Sequence, residues 1–448
     1  MINKNERWPF KFLLVQAVFW IGILSIFNIR QYSAGPIICI AYLGWYLLEK
    51  KPIRKFMILL SGLPFQAVTK LAVGVPSVSV LLYFVFIIER VVETKGKVKG
   101  RMLLGVIGIL LLQILATMRY NLSASTFIST LLTILFATYA GLSLKDSSDP
   151  TETFVECGWV FGLSMLIDIY SVSAYSQLPY YILRDKQLVL DRIGRFCALN
   201  GDPNYFGQLI SVAFGLMVSM AIIYYRERNN KRCALCIILS VVFVLNGMRS
   251  ISKGYAFAIA ATILMCAWFI IMEKRSSNQR IIYFVLFVVI GIPLVYLLVD
   301  KIVLPIVQMR SETDLFTGRL GIWSMYGDML ESDPSIAFLG TGFSNAQNAI
   351  RMLTGHNAAA HNLYIEVFCD LGIIGLIMVL LIWSDIFGNL KLLLSNSMSI
   401  FAWGFLFTSL SLSASANDVI YFIVPMFGLV CASELNETPE SELHNDIW

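Results

Sequence analysis

Charged residues are scarce in this chain. Of its 448 residues only 14% are charged, whereas 57% are hydrophobic. Soluble globular domains usually have about a quarter charged residues. The apolar residues form repeated runs, each long enough to cross a hydrocarbon core of about 30 Å. This composition excludes an ordinary soluble domain and predicts a protein that crosses a membrane several times.

Cysteine is present but shows no pairing framework. The chain has eight cysteines, and most of them lie in or beside apolar runs. Their spacing therefore gives no indication of a disulfide scaffold. Cys233 and Cys236 form a CxxC pair, but no second ligand pair follows it. We interpret this pair as helix packing rather than as a zinc site.

Histidine is scarcer still, with three in the whole chain. His356 and His361 are loosely spaced and have no third ligand close by in the sequence, which argues against a metal centre. We expect no metal and no cofactor. The net charge of +5 accompanies no soluble basic patch, so nucleic acid is not an expected partner.

What the chain has in abundance is apolar runs of membrane-spanning length. Inside a bilayer every backbone polar group must find its partner within the protein, so helices are the expected structure. We predict an all-α fold, a polytopic transmembrane bundle of about 12–14 helices, with no internal repeat and one membrane domain covering residues 1–448. The predicted spans are 12–28, 34–48, 56–69, 71–89, 102–118, 123–143, 153–172, 204–224, 233–247, 254–272, 281–299, 363–384, 398–413 and 419–433.

The lysines and arginines predict the orientation of these spans. With the N-terminus in the cytoplasm, most of the 34 basic residues fall in short cytoplasmic loops, as the positive-inside rule requires. The basic N-terminus resembles a signal peptide, but further spans follow directly, so we interpret it as part of an uncleaved first span. We predict a multi-pass protein of the cytoplasmic (inner) membrane with both termini in the cytoplasm. It has two long outer loops, 173–203 and 300–362, and a short cytoplasmic tail, 434–448.

A minority of basic residues opposes this orientation and clusters on the predicted outer face. Guanidinium groups bind phosphate in bidentate fashion, so an anionic ligand handled outside would explain the clusters. The alternative is that long outer loops cross the membrane regardless of their charge. The candidate anion-binding residues are Arg192, Arg195, Arg249, Lys253, Arg319 and Arg351.

The first outer loop ends in a dense turn signal. Asp202, Pro203 and Asn204 precede the eighth span, where Asp202 or Asn204 would cap the helix and present its N-terminus to an anion. A capped helix start is the simpler alternative for these three residues. It leaves the paired arginines before them, Arg192 and Arg195, unexplained.

The second outer loop holds a predicted helix and leads to titratable groups. Apolar residues recur at helical spacing over 318–331, which predicts an amphipathic helix at the membrane interface. His361 lies where the twelfth span enters the membrane, and Glu366 and Asp370 lie about one and two turns further in. Carboxylates inside a span are costly and indicate function by default. For these two, and for Asp168, an interhelical hydrogen bond is the alternative.

Four segments together resemble a known family. They are GDPNYFG at 201–207, SKGY at 252–255, GRLGIW at 318–323 and AHNLYIEVFCDLGIIG at 360–375. Their order, the late position of the largest outer loop and the predicted topology are similar to those of the O-antigen polymerase and O-antigen ligase superfamily. The resemblance covers most of the chain.

The resemblance implies a reaction. A bacterial glycan linked to undecaprenyl pyrophosphate is transferred to an acceptor hydroxyl at the outer face of the membrane, and the carrier pyrophosphate leaves. In a polymerase of O-antigen, capsule or exopolysaccharide the acceptor is another lipid-linked repeat unit. In a ligase it is the lipid A core or another terminal acceptor. The implied partners are the lipid-linked oligosaccharide and membrane lipid, with a chain-length regulator as a further candidate.

The resemblance also implies roles for individual residues. Fixed cations would stabilise the negative charge that grows on the leaving pyrophosphate. His361 would take or orient the proton of the acceptor hydroxyl, and Glu366 would hold that imidazole provided that His361 precedes the helix proper. The family's basic positions correspond to Arg192 or Arg195, Arg319 and Lys253.

Two other functions stay open. A ligase is the near alternative, because the sequence does not identify the acceptor. A transporter or flippase for the same lipid-linked sugar is the alternative of another class. Transporters usually show repeats and polar residues at mid-membrane, whereas here the polar residues concentrate in outer loops. We therefore favour an enzyme, and among enzymes the polymerase.

Overall fold

The computed structural model describes most of the chain. The described residues are 10–30, 34–66, 69, 77–96, 99–120, 124–171, 195–200, 202–272, nine positions between 279 and 297, 319–355, 359–387, 392–412 and 419–435. Within them all regular structure is helical and no strand is present. The predicted all-α class is confirmed.

Most of the described helices follow one another with short connections, apart from the long segments 172–202 and 273–318. In chain order they are α1 (Phe10–Arg30), α2 (Ala34–Leu48), α3 (Pro52–Gly62), α4 (Val78–Glu93), α5 (Gly100–Tyr120), α6 (Ala124–Lys145), α7 (Pro150–Ser171), α8 (Pro203–Arg226), α9 (Asn230–Met248), α10 (Lys253–Met272), α11 (Arg319–Ser332), α12 (Ile336–Leu339), α13 (Ala346–Thr354), α14 (Leu363–Trp383), α15 (Leu392–Ser395), α16 (Ile400–Thr408) and α17 (Ile420–Leu435).

Five helices are long and apolar enough, by length and composition, to cross a membrane. They are α5, α7, α8, α9 and α14, and shorter apolar helices accompany them. The chain is therefore a multi-pass membrane protein. Its described part has the predicted architecture of a polytopic helical bundle.

The predicted spans coincide with helices in the described part of the chain, but two helices are shorter than predicted. α3 has 11 residues, about 16 Å at 1.5 Å per residue, and continues into a 3₁₀ turn at Leu63–Phe65. Its residues 55–62 are all buried, so it packs inside the bundle rather than facing lipid. α16 is extended by 3₁₀ turns at Ser397–Ser399 and Ser409–Ser411. The predicted span 281–299 lies mostly outside the described residues.

α8 is the central helix of the bundle. Most of its residues are buried, and it packs against α7, α9, α10 and α16. α14 packs against α5 and α12, while α17 packs against α6 and α7. The start of α8 thereby lies beside the segment between α9 and α10, which carries Arg249 and Lys253.

α14 is broken inside its apolar length. Gly372 has φ 59° and ψ −178°, which no α-helix contains. Such a break deprives the carbonyl groups just before it of their helical amide donors. The backbone amides of Thr341 and Gly342 donate to the carbonyls of Cys369 and Asp370, each at 2.9 Å. The loop after α12 thus replaces the missing helical hydrogen bonds.

Two glycines make this replacement sterically feasible. Gly340 has φ 73°, and a Cβ atom there would lie 2.2 Å from the carbonyl oxygen of Asp370. A Cβ atom at Gly372 would lie 2.5 Å from the carbonyl oxygen of Phe338. Both positions need glycine for two reasons. Their φ is positive, and the two backbones approach each other too closely to leave room for a Cβ atom.

We expect Gly340→Ala to destabilise the fold far more than Gly355→Ala. Gly355 also has a positive φ, 76°, but a Cβ atom there meets nothing within 4 Å. Its substitution costs only the left-handed backbone, about 1 kcal/mol, whereas Gly340→Ala adds overpacking of about 1–3 kcal/mol. Thermal unfolding of the purified variants in detergent measures the difference. Equal losses of stability in the two variants would contradict the close approach of the loop to α14.

Candidate active site

The candidate site lies where α8, α10 and α14 begin and α16 ends. A Cβ atom at Gly254, the second residue of α10, would lie 2.0 Å from Oγ of Ser411. The hydroxyl of Tyr364, at the start of α14, donates to the carbonyl of Leu406 in α16 at 2.7 Å. These contacts bring three helix N-termini to one end of the bundle.

Asp202 is the residue that caps α8. Its Oδ1 accepts from the amides of Asn204 at 2.7 Å and Tyr205 at 3.1 Å, and Pro203 is the first residue of the helix. Asn204 has another role, because its Oδ1 accepts from Oγ of Ser252 at 2.8 Å. The start of α8 is thereby tied to the residue that precedes Lys253 and α10.

Asp168 anchors the turn that leads into α8. Its buried carboxylate accepts from the amide of Leu199 and from Nδ2 of Asn200, both at 3.1 Å. Ala198 in this turn has φ 48°, a left-handed conformation that is rare for residues other than glycine. These contacts agree with the structural alternative for Asp168. They fix the segment that follows Arg195.

Arg249 is held by an aromatic ring. Its guanidinium carbon lies 4.0 Å from the ring centroid of Phe196, and its Nη1 donates to Oδ1 of Asn246 at 3.1 Å. The amide of Phe196 donates to the carbonyl of Arg249 at 3.0 Å, and the ring packs edge-on against Phe206. A cation–π contact positions a guanidinium without neutralising its charge.

Arg319 begins α11 close to a second guanidinium. Burial lowers its pKa, the neighbouring charge of Arg195 lowers it further, and Asp202 opposes the shift. Arginine nevertheless stays protonated in proteins. In the described part of the chain no carboxylate forms a salt bridge with Arg319. Two positive groups brought together in a partly buried place form a suitable site for an anion.

α11 contacts the residues that precede α14. The indole Nε1 of Trp323 donates to the carbonyl of Ala360 at 2.9 Å. The amide of Ala360 in turn donates to the hydroxyl oxygen of buried Tyr326. His361 follows with φ 47° and an exposed side chain, and Asn362 caps α14 by accepting two amides at 3.0 and 3.2 Å. His361 therefore lies before the helix, not within it.

Glu366 occupies the first turn of α14 and is buried. The predicted pairing with His361 requires the histidine to precede the helix proper, and it does. Tyr326 lies near the Glu366 carboxylate; the pKa of this tyrosine is raised by burial and further by Glu366. His361 thus precedes the start of α14 and Glu366 follows it, with Tyr326 near the Glu366 carboxylate.

Asp370 has a different environment. Its Oδ2 accepts from the amide of Ser344 at 2.9 Å, and its Oδ1 accepts from the amides of Asn345 at 2.9 Å and Ala346 at 2.7 Å. The carboxylate therefore caps the start of α13. Here too the contacts agree with the structural alternative.

The other predicted site residues lie at the start of α10, in α13 or outside the described residues. Lys253 is the first residue of α10, directly after Ser252. Arg351 is exposed in the last turn of α13, and nothing described links it to Arg195 or Arg319. Arg192 lies outside the described residues. Among the residues that are described, no group of three or more histidines, cysteines or acidic residues could hold a metal ion.

The sequence did not reveal which groups hold these residues in place. The Phe196 ring under Arg249 and the link from Asn204 to Ser252 join segments about fifty residues apart, and no periodicity indicates such pairs. Trp323 and Tyr326 belonged to the predicted amphipathic face of 318–331, but their polar atoms and not only their rings make the contacts.

Comparison with known families fits this geometry. Residues 248–380 match the protein-family model Wzy_C, described as O-antigen ligase. This match, over somewhat less than a third of the chain, supports the O-antigen ligase and polymerase superfamily. The Wzy_C segment includes Lys253, Arg319 and His361, and it ends within α14, so the resemblance drawn from the sequence motifs is confirmed. No curated protein and no solved structure matches the chain.

The motif at 201–207 lies before the Wzy_C segment, yet it belongs to the same place in the fold. Asn204 of that motif accepts a hydrogen bond from Ser252 inside the segment. The two parts of the superfamily pattern therefore meet at the start of α8 and α10.

We expect Asp370→Asn to lower stability, because an amide has only one acceptor oxygen and its NH₂ would face the amide of Ser344. Leaving a buried donor unsatisfied costs about 1–3 kcal/mol. Asp202→Asn is the matched control, since one oxygen of Asp202 accepts both capping amides and asparagine caps about as well as aspartate. Thermal unfolding compares the two. A stable Asp370→Asn protein without activity would instead indicate a chemical role for the carboxylate.

Proposed function

We propose that this protein is a polysaccharide polymerase of the bacterial cytoplasmic membrane. It joins oligosaccharide repeat units of O-antigen, capsule or exopolysaccharide, carried on undecaprenyl pyrophosphate, at the outer face. The loops 173–203 and 300–362 lie on that face, and both termini lie in the cytoplasm. Membrane lipid surrounds the protein, and a chain-length regulator is a candidate partner.

The observation that best supports the proposal is that the positive charge of Arg195 acts on the partly buried guanidinium of Arg319. The leaving group is a pyrophosphate, whose negative charge increases as its bond to the sugar breaks. Two guanidinium groups fixed in a partly buried place stabilise that charge and need no reorganisation during the reaction. Arg249, just after α9, and Lys253, at the start of α10, supply further positive charge near the start of α8. Arg192 and Arg351 remain candidates from the sequence alone.

The proposed reaction needs one proton acceptor. The hydroxyl oxygen of the acceptor sugar attacks the anomeric carbon of the donor sugar. The bond from that carbon to the pyrophosphate oxygen breaks, and the pyrophosphate takes the electron pair. His361 takes the proton of the hydroxyl, and Glu366 orients the imidazole. The isoprenoid tail lies between helices in the membrane, with α11 covering the reacting groups.

A ligase is the second candidate, because the matched family model is described as O-antigen ligase and the match does not separate the two activities. The same anion site and proton acceptor would serve a ligase, because the two reactions differ in the acceptor and not in the leaving group. A transporter for lipid-linked sugar is the alternative of another class.

The experiment uses cells that lack this gene, complemented with wild type, Arg319→Ala, Arg319→Lys or His361→Ala. Glycan gels and lipid-linked sugar profiles are the readouts. We expect Arg319→Ala to lose the ladder of polymer lengths, because one contact of this kind is worth about 2.7–4 kcal/mol. Arg319→Lys keeps the charge but not the bidentate geometry and is expected to retain part of the activity.

Arg226→Ala is the matched control, since Arg226 is in the last turn of α8, at the opposite end from Asp202. Single repeat units on the final acceptor, without a ladder, in cells lacking the gene would identify a polymerase. Full-length chains held on the lipid carrier would identify a ligase. An unchanged profile in a strain that expresses the gene and makes the glycan would overturn both. Full activity of His361→Ala would remove the role of proton acceptor.

A further inference from the structure

Ala360 is held through both of its backbone polar groups by one helix. The indole of Trp323 donates to its carbonyl at 2.9 Å, and its amide donates to the hydroxyl oxygen of Tyr326. Ala360 itself is fully buried. No other residue in the described part of the second outer loop is shown with both backbone groups held in this way by side chains of a single helix.

The residue that follows Ala360 is strained. His361 has φ 47°, a conformation that is unfavourable for a residue other than glycine and persists only where neighbouring contacts enforce it. Those contacts are visible on both sides. Trp323 and Tyr326 fix Ala360 before the histidine, and the capping bonds of Asn362 fix the backbone after it.

The same helix carries the cation. Arg319, Trp323 and Tyr326 are spaced i, i+4 and i+7, which places them on one face of α11. The helix is rigid over these two turns, so the distance along it from the guanidinium to the two aromatic side chains is fixed. The contacts of Trp323 and Tyr326 with Ala360 therefore also determine where the backbone of His361 lies relative to Arg319.

We propose that Trp323 and Tyr326 are positioning residues, which clamp Ala360 to α11 and so set the position of His361 relative to Arg319. The proposal rests on the proposed function, in which the guanidinium stabilises the leaving pyrophosphate and the imidazole takes the proton of the acceptor. It adds that the two roles are coordinated by a single helix. Neither aromatic side chain needs to touch the substrate.

The test compares wild type, Tyr326→Phe and Trp323→Phe as full-length purified proteins with a lipid-linked oligosaccharide donor. Each substitution removes one polar atom and keeps an aromatic ring. We expect kcat to fall by about ten- to a hundredfold, as small displacements of reacting groups do, and KM for the donor to change by less than about twofold, because Arg195 and Arg319 are unchanged. A merely structural role would lower the unfolding temperature but leave kcat per folded molecule as in wild type.

Hydrogen exchange gives a second readout that is independent of activity. Tyr326→Phe removes the acceptor of the Ala360 amide, so exchange in the peptide that contains Ala360 should become faster. Trp323→Phe removes only the donor to the Ala360 carbonyl and should affect that amide less. Tyr42→Phe is the matched control: its buried hydroxyl donates to the carbonyl of Ile58 in α3, outside the candidate site, and its loss should change neither Ala360 exchange nor kcat.

The outcomes separate the inference from the function on which it rests. Unchanged Ala360 exchange in Tyr326→Phe, in an active protein, overturns the clamp. Faster exchange with unchanged kcat overturns the positioning role while the function stands. A wild-type protein that transfers no glycan from the lipid-linked donor overturns the proposed function, and the catalytic consequence of the clamp with it.

Discussion

Backbone polar groups in a low-dielectric interior must be paired, and the broken helix α14 makes this constraint central to the fold. The carbonyls of Cys369 and Asp370 are satisfied by amides of the loop after α12, and the Asp370 side chain caps α13. The loop after α12 is therefore attached to the apolar helix α14 through main-chain hydrogen bonds. Because α11 and α13 lie on either side of this attachment, the position of Arg319 also depends on it.

The site is assembled from residues that are distant in sequence, held by neutral contacts more often than by ion pairs. Phe196 supports Arg249, Ser252 bonds Asn204, and Trp323 bonds Ala360. Neutral contacts fix positive side chains without cancelling their charge. A site built for an anionic leaving group requires this separation of positioning from neutralisation.

The fold class followed from the sequence because hydrophobic run length directly reflects bilayer thickness. The helices found at the predicted spans show how strong that signal is. Helix length was less predictable. α3 is short because it is buried among other helices. Its sequence is an apolar run, and such a run looks the same whether the helix faces lipid or the protein interior.

The sequence identified candidate residues where a charged side chain stands at an energetically unfavourable position. Arginines on the outer face and carboxylates inside a span are expensive, so the sequence singled out Arg319, Glu366 and Asp370. Their environments were not predictable, because a carboxylate that caps a helix 24 residues away, as Asp370 does for Ala346, has the same sequence signature as one that moves a proton. The positive φ of His361 likewise left no trace in the sequence, since nothing in its neighbours required it.

That left-handed backbone has a consequence for how this chain can change. Glycine or asparagine would adopt the conformation of His361 more easily, and either would make the native state more stable while removing the imidazole. With the proposed role of His361 as proton acceptor, selection for folding and selection for chemistry would favour different residues at position 361. A screen of random variants by thermostability alone would enrich substitutions at that position, and the most stable variants would include some that lack the imidazole.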